Sequence, residues 1–545
     1  MSEVLFNEEG AARSELEFWE SSSREVIWQR YCGFLDLSLG EFMIVQERNL
    51  LDQIELVANS PLAREIMNNR KPATVDEFRQ LVPLTTYEDY AAHLEQSNEA
   101  ILPKKPYYWA RTSGREGNPK WVPFSIRADE VTCRNAIGAA LLASAKQKGD
   151  INVWPGEKMM FNLPGRPYFS GWLAFSLSTR ASFEAIPPLE ISESMEFGAR
   201  IAESFKLALR TNVSCLASLS SVLVKVGEAF SDRTRETKLA TSMIHPLVFF
   251  RLVGSWVKCS IIEKRGLLPR DLWPVKAIFG WGADTSIYRE QIKYYWGKMP
   301  YEIYGATEAG VIAMQGWNKN YLTFLADSVF LEFIPETEWL KSKEDAKYQP
   351  KTVLLNEVEG GEIYEIVLTS FYGMPFLRYR LGDLIRIVAL KDEETGINLP
   401  QVVFHTRADD ILDLGGFARL DEKTVWKAIA NTGIRHEDWT MRKEYTDGNP
   451  VIHLYIELKE RREPEEAGYL IHEQLKQLEQ GYKDVDNMLG IHPLRVTLLT
   501  QGTFQRYLEG KQKAGADLAH LKPPHMNASD NHIAELILLS SKGQD

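Results

Sequence analysis

Thr112, Ser113, Gly114, Gly117 and Lys120 fall within one short run, TSGREGNPK, where two glycines, two hydroxyls and a lysine share nine positions. Residue types at that density suit a phosphate. Glycines let backbone N–H groups approach an anion closely, hydroxyls add donors, and the lysine brings a full positive charge. Apolar and aromatic residues flank the run, Trp109 and Ala110 before it and Trp121 to Phe124 after it. The same composition also describes an exposed, turn-rich hairpin loop. The run alone does not decide between a phosphate cradle and a surface turn.

Three further motifs follow in the chain: YGATEAG from Tyr304, YRLGD from Tyr379 and TRADDILDLGG from Thr406. Taken one at a time, each has a plain structural reading. Tyr304 to Gly310 reads as a strand-to-helix turn with Glu308 in the first helical turn. YRLGD reads as a hairpin with Asp383 as a turn residue, and Arg407 with Asp409 as a surface ion pair. Taken together, in this order and with a domain break at the fourth, chance becomes a poor explanation. No Ser-His-Asp or Cys-His arrangement accompanies them.

These motifs resemble those of the adenylate-forming enzymes, a superfamily that includes acyl-CoA ligases, peptide-synthetase adenylation domains and luciferase. Within it the chain is most similar to the Gretchen Hagen family of acyl acid amido synthetases, the auxin- and jasmonate-conjugating type. That closer likeness is carried by DEFRQLVPLTTYEDY, EGGEIYEIVLTSFYGMPFLRYRLGD and AGADLAHLKPPHM. It covers most of the chain and is weakest between Lys148 and Trp273.

The resemblance implies ATP and Mg2+ as cofactors and assigns roles to residues. Thr112, Ser113, Gly114, Arg115, Gly117 and Lys120 would form the phosphate loop. Tyr304 would lie against adenine, with Gly282, Ala283 and Gly305 in the same nucleotide-binding set. Thr307 would contact the α-phosphate, and Glu308 would hold Mg2+, which prefers carboxylate and phosphate oxygens. Asp383 would accept hydrogen bonds from the ribose hydroxyls. Arg407 would assist at the ribose or α-phosphate, and Asp409 would mark a hinge. Lys522 is the candidate C-terminal lysine for adenylation, with Lys511 and Lys513 as competitors. One departure stands out. The family pattern has Ser or Thr after the first glycine of the loop, whereas this chain has Arg115 and Glu116. Arg115 can supply charge to pyrophosphate, and Glu116 can pair with it or with Lys120. The plainer alternative is a degenerate loop.

The function implied is adenylation of a carboxylic acid, then acyl transfer to an amine such as that of an amino acid, with release of AMP and pyrophosphate. One rival is an acyl- or aryl-CoA ligase, which shares the first step. A second is a nucleotide-binding protein without turnover. The acyl pocket is expected between about Leu163 and Trp281, with Tyr168, Phe169, Trp172, Leu216, Trp281 and Ala283 as candidates. Ordinary core packing is the competing explanation for each of them.

The elements that position these residues follow from periodicity. Residues 14 to 70 read as helical, with a stop and restart at Asn59-Ser60-Pro61. Thr74 is expected to cap one helix, and Thr85 or Thr86 the next. Helices are expected at Ala128–Lys148, Ser214–Phe230 and Ile287–Trp296, and strands at Lys158–Leu163, Trp273–Phe279 and Pro300–Tyr304. This alternation predicts an α/β sheet with its chemistry in loops at strand ends. From Tyr321 the pattern turns to β-branched and aromatic residues alternating with polar ones. It predicts an antiparallel sheet or small barrel over about 321–408, with Lys341–Tyr348 as a surface loop. After a boundary near Asp409 to Gly416, helices at Glu422–Ala430 and Glu465–Gln480 and strands at Val451–Glu457 and Leu494–Leu499 predict a smaller, mobile α/β domain. Ile533–Leu539 reads as a docking helix. The fold class expected is therefore α/β, with a large N-terminal domain, 1–408, and a C-terminal domain, 409–545.

Bulk properties agree. A chain of 545 residues is too long for one core. A net charge of −12 argues against a generic binder of nucleic acid or anionic membrane. The four cysteines show no metal-binding spacing. The acidic N-terminus shows no signal peptide, and His245–Ile262 reads as a buried helix rather than a membrane span. A cytoplasmic monomer or dimer acting on small molecules is the expectation.

Overall fold

Polar caps set where the N-terminal helices begin. Ser38 accepts from the Glu41 backbone N–H while the Glu41 carboxylate takes the Ser38 N–H, a reciprocal box that opens α1, Leu39–Val57. Ser60 caps the helix Pro61–Ile66, with Pro61 in its first turn, and Thr74 caps Val75–Leu81. The next helix, Glu88–Leu94, has no side-chain cap from Thr85 or Thr86. The Thr85 hydroxyl instead donates to the Leu377 carbonyl at 2.7 Å, and the Thr86 N–H is taken by Asp89 at 2.7 Å. A tertiary partner has claimed the residue that local pattern assigns to a cap.

The computed structural model describes residues 15–112, 120–195, 197–235, 253–259, 263–281, 285–345, 347–408, 410–414, 418–446, 449–479, 482–483, 493–513 and 523–541. They fall into two compact units. One comprises Met1–Leu381 with Ile385–Phe404, the other Gly382–Leu384 with His405–Asp545. Among the described residues, no helix is long and apolar enough to cross a membrane.

The first unit continues with a hairpin, β1 Tyr108–Arg111 and β2 Trp121–Phe124, and then α2, Ile126–Ser144. A parallel sheet follows. Its strands are β3 Lys158–Asn162, β4 Glu184–Ile186, β5 Cys215–Leu219 and β6 Ala277–Trp281, in the order β4-β3-β5-β6. Helices α3 Phe169–Arg180, α4 Ser220–Arg235 and α5 Thr285–Trp296 connect or follow these strands. The expected helix from Ser214 is thus a strand up to Leu219 and a helix only from Ser220. A strand buried on both faces reads as an unbroken apolar run, which periodicity cannot tell from a buried helix. The expected strand at Trp273 begins only at Ala277. Trp273 itself is buried beside Trp296, its indole N–H on the Ala208 carbonyl at 3.0 Å. In the His245–Ile262 stretch, the described residues 253–259 are helical but expose Val253, Trp256 and Val257 while burying Cys259. This part is surface-facing rather than wholly buried.

Beyond α5 the chain builds a seven-stranded sheet. Its strands are β7 Ile303–Ala306, β8 Gly310–Gln315, β9 Leu322–Phe324, β10 Val329–Pro335, β11 Ile363–Ser370, β12 Tyr379–Ala389 and β13 Gln401–Arg407. The order is β10-β11-β12-β13-β9-β8-β7, with β10 and β7 at opposite edges. Of the two expectations for this region, antiparallel sheet or small barrel, a sheet is formed, and among the described residues no strand pairing closes it. It also reaches back to Ile303. Part of the expected surface loop at Lys341–Tyr348 is helical, inside α6, Glu336–Glu344.

The second unit has its own core. Its hairpin is β14 Leu412–Leu414 with β15 Ala418–Leu420, followed by α7, Glu422–Asn431. A three-stranded sheet joins β16 His436–Thr446, β17 Asn449–Leu458 and β18 Leu494–Leu499, antiparallel and then parallel. Helices α8 Pro464–Leu478, α9 Thr503–Lys513 and α10 Asp530–Ser541 complete it. The elements expected at 422–430, 451–457, 465–480, 494–499 and 533–539 are all present. Strand β16 and helix α9 were not anticipated.

Candidate active site

The hairpin β1–β2 ends where the glycine-rich run begins. Thr112 and Lys120 close its neck. The Thr112 N–H donates to the Lys120 carbonyl at 2.9 Å, and the Lys120 N–H donates to Oγ1 of Thr112 at 3.0 Å. Two hydrogen bonds thus join the residues on either side of the run. Ser113, Gly114, Arg115, Glu116 and Gly117 lie outside the described residues.

Lys120 points away from those bonds into a buried polar cluster. Its ammonium donates to the Tyr379 hydroxyl at 3.2 Å and stands 3.9 Å from Oε1 of Glu308. The Tyr379 hydroxyl in turn donates to the same Oε1 at 3.0 Å. The Tyr87 ring lies 5.1 Å below the ammonium. Tyr87 also braces β2, accepting the Trp121 N–H at 2.9 Å. Burial, with Glu95 and Glu308 nearby, pushes its hydroxyl up to about 12. It therefore stays protonated and adds no charge beside the lysine. Glu308 is only 6% exposed. A carboxylate that deep needs partners, and the cluster supplies a cation and a hydroxyl.

Glu308 arrives there on a hairpin, not on a helix. Tyr304 pairs with Ala313 and Ala306 with Gly310 across β7 and β8. Thr307, Glu308 and Ala309 form the tight turn, whose Ala309 N–H meets the Ala306 carbonyl at 3.1 Å. The strand-to-helix reading of YGATEAG is thereby corrected. Two glycines make the turn possible. A Cβ on Gly305 would sit 2.6 Å from the Gly310 carbonyl oxygen. Gly310 itself has φ +73°, a conformation that favours glycine, and its Cβ would sit 2.6 Å from the Thr132 hydroxyl on α2. Ser370 holds the turn by donating to the Glu308 carbonyl at 2.9 Å. The Tyr304 ring is buried near Phe404, centroids 6.2 Å apart.

Asp383 and Arg407 group with the second unit and meet each other. An Arg407 guanidinium nitrogen is 2.9 Å from Oδ1 of Asp383, and Asp383 is 6% exposed. The Ala408 N–H donates to the Gly382 carbonyl at 2.9 Å, so the two motifs are stitched by backbone as well. Asp409 lies outside the described residues, as do Gly282, Ala283 and Lys522. Of the competing lysines, Lys511 is paired with Glu535 across α9 and α10 at 2.9 Å.

The segment just after Lys522 is firmly anchored within the second unit. His525 lies between two carboxylates, with Nδ1 2.5 Å from Glu422 and Nε2 2.7 Å from Asp438. Its ring stacks on Trp439 at 4.5 Å. Sequence reasoning passed over His525, because its partners lie far away in the chain. It also gave Tyr379 no role, although Tyr379 opens the YRLGD motif.

The acyl-pocket candidates divide. Trp172 stacks on Tyr108 at 4.1 Å, and Phe169 stacks on Phe124 at 5.7 Å, so both tie α3 to the hairpin β1–β2. Leu216 is fully buried in the parallel sheet. Tyr168 lies beneath the Arg111 guanidinium at 5.6 Å. The Trp281 side chain lies outside the described residues. For Phe169, Trp172 and Leu216 the packing explanation holds.

Comparison with known proteins gives a consistent result. Residues 34–164 match the GH3 family N-terminal domain, 322–407 the GH3 family central domain and 422–531 the GH3 family C-terminal domain. A jasmonoyl–L-amino acid synthetase from Oryza sativa subsp. japonica is 26% identical over 300 residues, 50% of this chain and 49% of that protein. A 4-substituted benzoates–glutamate ligase from Arabidopsis thaliana is 25% identical over 299 residues, 49% of this chain and 48% of that protein. The chain thus matches about half the length of these relatives. Among solved structures, the acyl acid amido synthetase AtGH3.15 in complex with 2,4-DB superposes with a TM-score of 0.68 at 18% identity, over 95% of this chain and 96% of that one. The fold is thus shared with that structure over nearly the whole length of both chains.

Proposed function

The chain belongs to the GH3 family, and from that premise we propose that it joins a carboxylic acid to an amine, with ATP as the energy source. A substrate carboxylate oxygen attacks the α-phosphorus of ATP, and the bond to pyrophosphate breaks. The resulting acyl-adenylate is attacked at its carbonyl carbon by the amine of an amino acid. The carbon–oxygen bond to AMP breaks and the amine proton is lost. The observation that carries this reading is the cluster of buried Glu308 and Tyr379 with the part-exposed Lys120, next to the residues that bound the glycine-rich run.

In this reading Lys120 serves the phosphates from the base of the loop formed by Thr112, Ser113, Gly114, Arg115 and Gly117. Tyr379 fixes Lys120 and Glu308 relative to each other. Tyr304 supports the adenine, with Gly282, Ala283 and Gly305 near it, and Thr307 meets the α-phosphate. Asp383, oriented by Arg407, accepts the ribose hydroxyls. Lys522 is the lysine of the adenylation step. Glu308 suits Mg2+, since that ion takes one or two carboxylates and fills its remaining positions with phosphate oxygens and water. When bound, it would withdraw charge from the phosphates. No protein nucleophile is needed, because positioning and electrostatics lower the barrier. The domain bounds proposed are 1–408 and 409–545, with the enzyme working in the cytoplasm on small molecules.

ATP–pyrophosphate exchange over a panel of carboxylic acids tests the first step. AMP release with amino acids or CoA tests the second. Exchange with at least one acid, and AMP formation stimulated by an amino acid, are expected. ADP as product, or stimulation by CoA alone, would refute the respective step. Glu308→Ala and Asp383→Ala should each lower exchange by about a hundredfold or more, the scale of losing a charged group at a transition state. Unimpaired exchange in either variant refutes its role.

A further inference from the structure

The parallel sheet has two ends, and only one faces the residues described so far. The YGATEAG hairpin follows Tyr301, which bridges Phe279 in parallel, and so lies toward the C-terminal ends of the strands. At the opposite end is a wide cleft of about 860 Å3. It lies between the segments leading into β3 and β6 and the C-terminal ends of α2 and α5. That volume is in the range of small-molecule sites.

The charge of this cleft is out of keeping with the chain. Its walls carry Lys146, Lys258, Arg265, Arg270, Lys276 and Lys298 against two carboxylates, Glu263 and Asp271, in a protein of net charge −12. Some of the cations are committed. Arg265 is paired with Asp271 at 2.7 Å and with Glu263. Lys258 is 4.0 Å from Glu263, and Lys276 is paired with Glu157. Among the described residues, no carboxylate pairs with Lys146, Arg270 or Lys298. Cations near helix C-termini are ordinary, and two helices end here. Each such end offers only about half a negative charge. The last carbonyls of α2 are already used: Ser144 by the Asn152 amide at 3.0 Å and Ala145 by the Lys319 ammonium at 3.2 Å. At the end of α5, Arg270 donates to the Tyr294 carbonyl at 3.0 Å. The helix ends thus hold Arg270 in the wall, and among the described residues they leave the charges of Lys146 and Lys298 uncompensated.

Lys319 lies just behind the wall, its ammonium on the Ala145 carbonyl at 3.2 Å. Burial first, and then the charges of Lys298 and Arg289, hold its ammonium below the usual lysine range.

We propose that this cleft is a second ligand site, distinct from the adenylation centre, that takes a small polyanion bearing two or more phosphate or carboxylate groups. One guanidinium and two ammonium groups, spread around a cleft much larger than a single phosphate, match separated anionic groups better than one compact ion. Trp154 adds an aromatic wall on which a ligand body can rest. The site is independent of the proposed reaction and would stand if that reading failed.

The test is calorimetric titration of the full chain with tripolyphosphate and, separately, with citrate. A saturable site for at least one of them is expected, weakened about tenfold or more in the double variant Lys146→Gln/Lys298→Gln, as expected when charge-assisted contacts are lost. Lys120→Gln, in the phosphate-loop cluster, should leave that site intact. Both cleft substitutions replace cations at helix ends, and an unchanged thermal midpoint checks that the double variant is folded. Arg270→Gln gives an independent second variant. Three results would each overturn the proposal: no binding of either probe at millimolar concentration, affinity unchanged in both cleft variants, or binding lost in Lys120→Gln.

Discussion

Tyr379 occupies the position on which the candidate centre turns. Its hydroxyl accepts from Lys120 and donates to Glu308, so one phenol orders a cation and an anion at once. It bridges Lys120 and Glu308, which stand 3.9 Å apart. Tyr379→Phe removes the hydroxyl and keeps the ring packed against Phe376 and Tyr90. We expect about a tenfold loss in kcat/KM for pyrophosphate exchange, with stability lowered by no more than about 1.5 kcal/mol, the worth of a typical hydrogen bond. A larger stability loss with unchanged exchange would make Tyr379 a structural residue only. The role was concealed in the sequence because Lys120 and Tyr379 are separated by 259 positions. Neither motif names the other as its partner.

At the scale of elements, α1 is joined to the seven-stranded sheet by two buried amides. Gln46 donates to the Ala326 and Val329 carbonyls at 2.5 and 2.7 Å and accepts the Leu331 N–H at 2.9 Å. Gln53, seven residues on and so on the same helical face, donates to the Met374 carbonyl and accepts the Gly373 N–H, both at 2.8 Å. These glutamines act as missing pieces of backbone, satisfying strand ends that the sheet leaves open. Gln46→Leu would bury three backbone groups without partners. It should cost about 2–4 kcal/mol, read from the urea midpoint. A neutral result would mean that water reaches those groups. A polar residue at a core position looks like an error in a hydrophobic pattern, and only its partners explain it. The hairpin that presents Glu308 is different. Gly305 and Gly310 bracket the turn in the sequence itself, yet whether a helix or a strand follows was settled by pairing with β8.

At the scale of the whole chain, the second unit carries a built-in sensitivity to acid. Burial lowers His532 to about 4 and also holds His436 and His453 below the usual histidine range. Unfolded histidine titrates near 6.5, so between about pH 6.5 and 4 the unfolded chain binds protons that the folded His532 does not. Stability is therefore full above about pH 6.5 and declines as pH falls towards 4, then levels off for this group. From its shift alone we expect a loss of about 2 kcal/mol between pH 7 and pH 5. His532→Gln should flatten that part of the curve, measured as urea midpoints at the two pH values. An equally steep decline in the variant would assign the effect to other groups.

What the sequence determined by itself was local or compositional. Ser38, Ser60 and Thr74 start helices because a cap depends on residues three positions away. The order of four motifs pointed to adenylate chemistry, and the C-terminal α/β elements followed from their own periodicity. Tertiary structure decided whatever depended on a distant partner. It made Cys215–Leu219 a strand, since a segment covered on both faces carries no period of its own. It drew Thr85 from a cap to Leu377, and it set Glu308 beside Lys120 and Tyr379. Local energies act over one turn or one hairpin, whereas burial and charge pairing act between whatever surfaces the fold brings together. That is why the motifs were legible as motifs, and why the geometry that lets them act together was not.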